Sequence, residues 1–146
     1  MKKFIRKIKK SDKTESARKT YIIDAEGKVL GKIATKAADL LRGKNNANFA
    51  PYLDNGGNVI VLNAGKMVIT GKKLENKVYR HHTLYPGGLK TKTMQEVLDK
   101  NPGEVIRMAV LGMLPKNRLR SGFIKKLTTV NDGQYEGKGE RIEIKS

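Results

Sequence analysis

The sequence has no cysteine and no tryptophan, and only fourteen of its 146 residues are acidic. Without cysteine there can be no disulfide staple and no thiolate metal site, so an apolar core must hold the fold. A chain of this length can bury such a core as one domain. Long apolar runs are also lacking. They reach only four residues, as at Val59–Leu62, far below the roughly 20 that span a bilayer. The expectation is a soluble domain with no membrane-spanning segment, suited to the cytosol.

Grouped carboxylates and nucleophile signatures are missing as well. Metal-dependent nucleases cluster their acids around cations. Here Glu96 and Glu104 fall at helix starts and Asp24 at a strand end. His81 and His82 are the only histidines; as neighbours on a strand they point to opposite faces and cannot readily share a metal. Gly65, Gly71 and Lys72 superficially suggest a phosphate loop. Five residues separate those glycines, and Lys73 stands where that loop requires Ser or Thr. The chain is therefore expected not to be an enzyme and to carry no metal and no cofactor.

Positive charge is what the sequence has in excess. Thirty-one Lys and Arg give a formal net charge of +17. A compact chain so charged repels itself, which points to a polyanionic partner. Nucleic acid is the commonest, held by phosphate contacts and counterion release; an acidic membrane surface is the alternative. Residues 1–20 carry nine of these cations and only Asp12 and Glu15 as acids, and read as a basic arm that orders on a partner. This arm lacks the apolar core of a secretory signal. Phe4, Ile5 and Ile8 would bury little area as a membrane-surface helix.

Residues 21–133 read as one domain and 134–146 as a tail that packs only in part. Tyr21–Asp24 is strand-like, followed by a turn at Ala25–Lys28. Leu30, Ile33, Ala34, Ala37, Ala38 and Leu41 recur at helical spacing, and Gly43 suits a left-handed C-terminal cap. A turn at Asn55–Gly57 precedes a buried strand at Asn58–Leu62, and strands are also expected at Met67–Thr70 and Lys77–His81. Thr93 and Glu96 have capping-box spacing. Asn101, Pro102 and Glu104 supply an N-cap, a first-position proline and a first-turn acid. A helix over Asn117–Lys126 and a strand at Leu127–Val130 complete the expected elements. Strands alternating with helices predict an α/β fold, with a mostly parallel sheet covered on both faces.

Two basic segments are the candidate binding sites. Lys66–Lys92 holds seven Lys and Arg against one acid, interleaved with Tyr79, His81, His82 and Tyr85. Cations hold phosphates, while rings stack on exposed bases or sugars. Pro86-Gly87-Gly88 lets backbone approach a strand closely. The second segment carries Lys116, Arg118, Arg120, Lys125 and Lys126 with no acid between Gly112 and Lys126.

The motifs also carry a family resemblance. They are Tyr-Ile-Ile-Asp-Ala-Glu-Gly from Tyr21, Leu-Gly-Lys-Ile-Ala from Leu30, Leu-Arg-Gly-Lys from Leu41 and Val-Leu-Asn-Ala from Val61. Thr-Gly-Lys-Lys from Thr70, Tyr-Arg-His-His from Tyr79, Tyr-Pro-Gly-Gly-Leu-Lys from Tyr85 and Gly-Met-Leu-Pro-Lys-Asn from Gly112 follow in order. Together they resemble the L-thirteen family of large-subunit ribosomal proteins, closest to the bacterial type. The resemblance implies a single three-layer α/β/α domain, binding to large-subunit ribosomal RNA beside neighbouring ribosomal proteins, a part in subunit assembly, and no catalysis or small-molecule substrate. It implies a bacterial ribosome in the cytoplasm, or an organellar one. Carried over by position, Arg42, Lys44, Lys72, Lys73, Arg80, His81, Tyr85 and Lys90 are the expected RNA contacts, joined by Lys116, Asn117 and Arg118. The charge of the second segment adds Arg120, Lys125 and Lys126.

The chain departs from the family at Thr20-Tyr21, where Trp-Tyr is usual, at Asn45-Asn46, where a basic pair stands, and at Tyr135–Glu140, in place of a His- and Gln-rich stretch. Two other readings remain at this stage: a basic enzyme that processes nucleic acid, and a free RNA-binding translational regulator.

Overall fold

The computed structural model describes residues 18–131, 135, 137 and 139–144. Most of the expected basic arm, and part of the tail, lie outside the described residues. The fold is α/β, built on four parallel strands: β1 (Thr20–Asp24), β2 (Asn58–Leu62), β5 (Leu127–Thr129) and β6 (Glu140–Ile142), in spatial order β5-β2-β1-β6. A separate antiparallel hairpin is formed by β3 (Val78–His82) and β4 (Leu89–Thr93). The helices are α1 (Leu30–Arg42), α2 (Lys73–Asn76), α3 (Met94–Lys100), α4 (Pro102–Met113) and α5 (Arg120–Lys125), with a short 3-10 turn at Ala64–Lys66.

Strand alternation divides the core. Tyr21, Ile23, Val59 and Val61 point to one face, where they meet Ile33, Ala37 and Leu41 of α1, Ile106 and Val110 of α4, and Phe123 of α5. Each such aliphatic side chain contributes about 1.5–3 kcal/mol on burial. On the opposite face Ile22, Ile60 and Leu62 form a smaller cluster with Val130.

The expected helix signals are realised. Gly43 caps α1 at φ 77°, its N–H donating to the carbonyls of Asp39 and Leu40. Thr93 Oγ1 accepts from the N–H of Glu96, and Asn101 Oδ1 from that of Gly103 behind Pro102.

Other elements differ from expectation. Met67–Thr70 is not a strand; only Val68 makes an isolated parallel bridge, to Val29. The expected helix from Asn117 begins at Arg120, because Pro115 and Asn117 form a turn in which the Asn117 N–H donates to the Pro115 carbonyl. The sheet also runs beyond residue 133, since β6 pairs in register with Tyr21–Ile23 and Ile142 and Ile144 pack on the core.

Two ties close the sheet ends. Gly56 lies against the end of α1, where a Cβ would collide with the Leu41 carbonyl. The clash is with backbone, so Gly56→Ala should cost about 1–3 kcal/mol of stability, visible as a lower urea midpoint with unchanged m. At the other end Asn63, buried at φ 54°, donates from Nδ2 to Asp24 Oδ1 at 2.8 Å. That bond, more than the Glu26 N–H or nearby Lys28 and Lys66, holds the Asp24 carboxyl below its ordinary value against partial desolvation. A lowered carboxylate pKa adds stability that is present above the unfolded value and lost as pH falls through the folded one. Asp24→Asn should therefore flatten the loss of stability as pH falls below the ordinary aspartate value of about 4, measured by denaturation at a series of acidic pH values.

Candidate nucleic-acid interface

The return of the helices against the strand direction sorts the surface cations into two poles. The C-terminal end of α1 lies at the amino ends of the strands. Lys126, just before β5, shows this by donating to the carbonyls of Leu41 and Gly56. The start of α4 lies at the carboxyl ends, with Pro102 against Gly65 beyond β2. The twelve residues of α4, about 18 Å long, run from there to the middle of α1, where Met113 Sδ accepts from Thr35 Oγ1.

At the amino pole, Arg42 ends α1 with its guanidinium 5.6 Å from the Phe49 ring centre. Lys44 pairs with Asp39 at 2.7 Å and remains half exposed. Lys116, Asn117 and Arg118 stand exposed in the loop before α5, and Lys125 is exposed at its end. Two of the expected contacts face inward instead. Arg120 donates from Nε to the Leu111 carbonyl at 3.1 Å and is half-buried. Lys126 keeps only 8% of its side chain exposed and pairs with Asp54. Burial there outweighs Asp54 and lowers the ammonium pKa. Lys126 and Arg120 thus tie the end of α5 and the 111–120 turn to the body, because each finds an internal acceptor within reach.

The second pole is built on the hairpin. Tyr79 lies opposite Lys92 and His81 opposite Lys90, so these four share one face. Arg80 lies opposite Thr91 on the alternate face. Lys72 and Lys73 open α2, which packs on α3 and β4. Tyr85 is 75% exposed in the hairpin loop, next to Leu84 at φ 69°. Between the hairpin, α3 and α4 runs a groove of about 580 Å³, bordered by Tyr79, His81, Lys90, Lys92, Lys100 and Glu104 over an apolar floor of Val97 and Met108. Tyr79, Lys92 and Lys100 were not among the expected contacts. The signal for Lys92 is its two-residue spacing from Lys90, which becomes informative once β4 is known to be a strand.

Only four ion pairs form among the described residues, by Arg18, Lys44, Lys66 and Lys126. The exposed cations of the hairpin and of the 116–125 segment take part in none of them.

The strand order reverses between β1 and β6, where open α/β sheets commonly bind ligands beyond the strand ends. Here Asp24 is engaged by Asn63 and the Glu26 N–H, and Lys28 donates to the Ile144 carbonyl at 2.6 Å. Among the described residues, no group of three or more His, Asp or Glu is placed to hold a metal, and no helix is long and apolar enough to cross a membrane.

Comparison with known proteins decides the family. The family Ribosomal protein L13 matches residues 18–136. The chain belongs to the ribosomal protein L13 family. It is 46% identical over 130 residues to large ribosomal subunit protein uL13 of Ruminiclostridium cellulolyticum, covering 89% of this chain and 90% of that one. The uL13 of Clostridioides difficile is 47% identical over 127 residues, covering 87% and 89%. That of Caldicellulosiruptor bescii is 48% identical over 130 residues, covering 89% and 92%. Membership makes the chain a structural component rather than an enzyme.

Adjacent lysines should separate fold from surface. Lys126→Ala removes the buried partner of Asp54, which keeps only its 3.6 Å pair with Arg18, and should cost about 1–3 kcal/mol of stability. Lys125→Ala should stay within about 0.5 kcal/mol. Paired thermal denaturations of the two variants check this.

Proposed function

We propose that this protein is a structural constituent of the large ribosomal subunit, binds large-subunit ribosomal RNA through its two basic poles, and supports subunit assembly in a bacterial cytoplasm. The observation that carries this reading is the clustering of exposed cations toward opposite ends of one sheet, where, of the proposed contacts, only Lys44 pairs with a carboxylate among the described residues. Family membership and the uL13 relatives support it.

The proposed contacts are Arg42, Lys44, Lys116, Asn117, Arg118 and Lys125 at one pole, and Lys72, Lys73, Arg80, His81, Tyr85 and Lys90 at the other. Cations on flexible stems neutralise phosphates without reading sequence. The two groups lie toward opposite ends of the strands, so one molecule bridges distinct RNA segments. The basic arm adds cations to the same task. Neighbouring ribosomal proteins then meet the surfaces RNA leaves free.

If about eight phosphates are neutralised, the log–log dependence of RNA affinity on salt should have a slope of about −6 to −7, measured by filter binding to a large-subunit rRNA fragment. A nearly flat slope would overturn the reading. Lys116→Glu with Arg118→Glu should leave the fold intact and reduce co-sedimentation of tagged protein with the large subunit. Normal incorporation would remove the amino pole from the interface.

A further inference from the structure

Phosphate contacts at the poles need no cavity, yet the hairpin pole has one. Its groove of about 580 Å³ falls within the range of roughly 300–1,000 Å³ typical of small-ligand sites. Tyr79 offers a half-buried ring beside His81 on the same hairpin face. Val97 and Met108 supply the apolar floor. Lys90, Lys92 and Lys100 border this space, and Glu104 is its one acid. An apolar slot with an aromatic wall and a cationic rim matches one ligand chemistry well: a planar base whose flanking phosphates stay outside.

We propose that this groove takes a single unstacked base of an RNA bulge or loop, with Tyr79 as the stacking wall and Lys90, Lys92 and Lys100 on the adjoining phosphates. This rests on the RNA-binding reading and names the form of RNA that the hairpin pole selects. A base already out of a helix costs least to insert, and stacking on an aromatic ring tolerates many bases. The acid narrows the choice. A carboxylate accepts from an exocyclic amine, which uracil lacks, so an amine-bearing base is favoured. Asn101 adds a donor, since its Oδ1 already caps α4 at the Gly103 N–H and its amide nitrogen remains.

The test uses the full chain and three synthetic RNA duplexes of equal length: fully paired, with one bulged 2-aminopurine, and with one bulged uridine. The wild type should bind the 2-aminopurine bulge about tenfold tighter than the paired duplex, with the uridine bulge between them, and should change the probe's fluorescence on binding. Tyr79→Ala should abolish the preference and the fluorescence change while leaving paired-duplex affinity within about twofold; Tyr79→Phe should retain both. Met108→Trp fills the slot from its floor, so a folded Met108→Trp protein should lose the preference even where Tyr79→Ala proves unstable. Equal binding of all three duplexes by wild type would overturn the base slot and leave RNA binding standing. Binding of none at low ionic strength would overturn both. Displacement of the bulge by an acidic peptide as effectively as by competing bulged RNA would mark the groove as a protein-docking surface and overturn the proposal.

Discussion

The packing of α1 and α4 across one face of β1 and β2 carries the rest of the molecule. Ile33, Ala37 and Leu41 meet Ile23, Val59, Val61, Ile106 and Val110 in a cluster with no charged member. A chain with a net charge of +17 spends folding free energy on its own repulsion, and it has no cysteine to staple itself. The apolar interface must supply that difference, and small residues on α1 make it possible. Ala34, Ala37 and Ala38 are buried and let the helix lie close to the strands, so larger side chains from β1, β2 and α4 interdigitate without voids.

This core also decides which cations are free. Lys126 and Arg120 belong to a segment whose charges look uniform, yet their heads turn into the body toward Asp54 and the Leu111 carbonyl. Their neighbours Lys116, Arg118 and Lys125 form no ion pair among the described residues and stay exposed. The division follows from where α5 docks: Phe123 and Ile124 are buried, and Lys126 is drawn in with them, its ammonium 5.1 Å from the Phe123 ring centre. Position relative to the docked apolar pair, rather than charge density, separates the inward-facing cations from the exposed ones.

Legibility from sequence tracks the kind of physics involved. The α1 stripe and its Gly43 cap, and the starts of α3 and α4, were readable because local periodicity and capping chemistry set them. The buried strand at Asn58–Leu62 was readable from its apolar run. Strands that depend on partners were not. β4, Leu-Lys-Thr-Lys-Thr, is nearly all exposed, and only pairing with β3 reveals it. β6, Glu-Arg-Ile, resembles a charged tail until it finds the free edge of β1. Met67–Thr70 has strand-forming residues, but among the described residues it has only the single bridge at Val68. The basic segments were visible as composition, whereas the groove beside Tyr79 was not, because its walls come from β3, β4, α3 and α4 together.

The two poles differ in what they demand of a partner. At the amino pole the cations stand on a loop and helix ends, so they offer charge. Any backbone of suitable curvature satisfies them, and their contribution is screened by salt. At the hairpin pole charge surrounds an apolar slot, which rewards shape and stacking that salt screens little. In the proposed RNA complex, one sheet holding both would convert weak, general attraction at one end into selection of orientation by the other. The internal ties at Asp24–Asn63 and Lys126–Asp54 lie at the two ends of the sheet, so each fixes the frame beside one group of exposed cations.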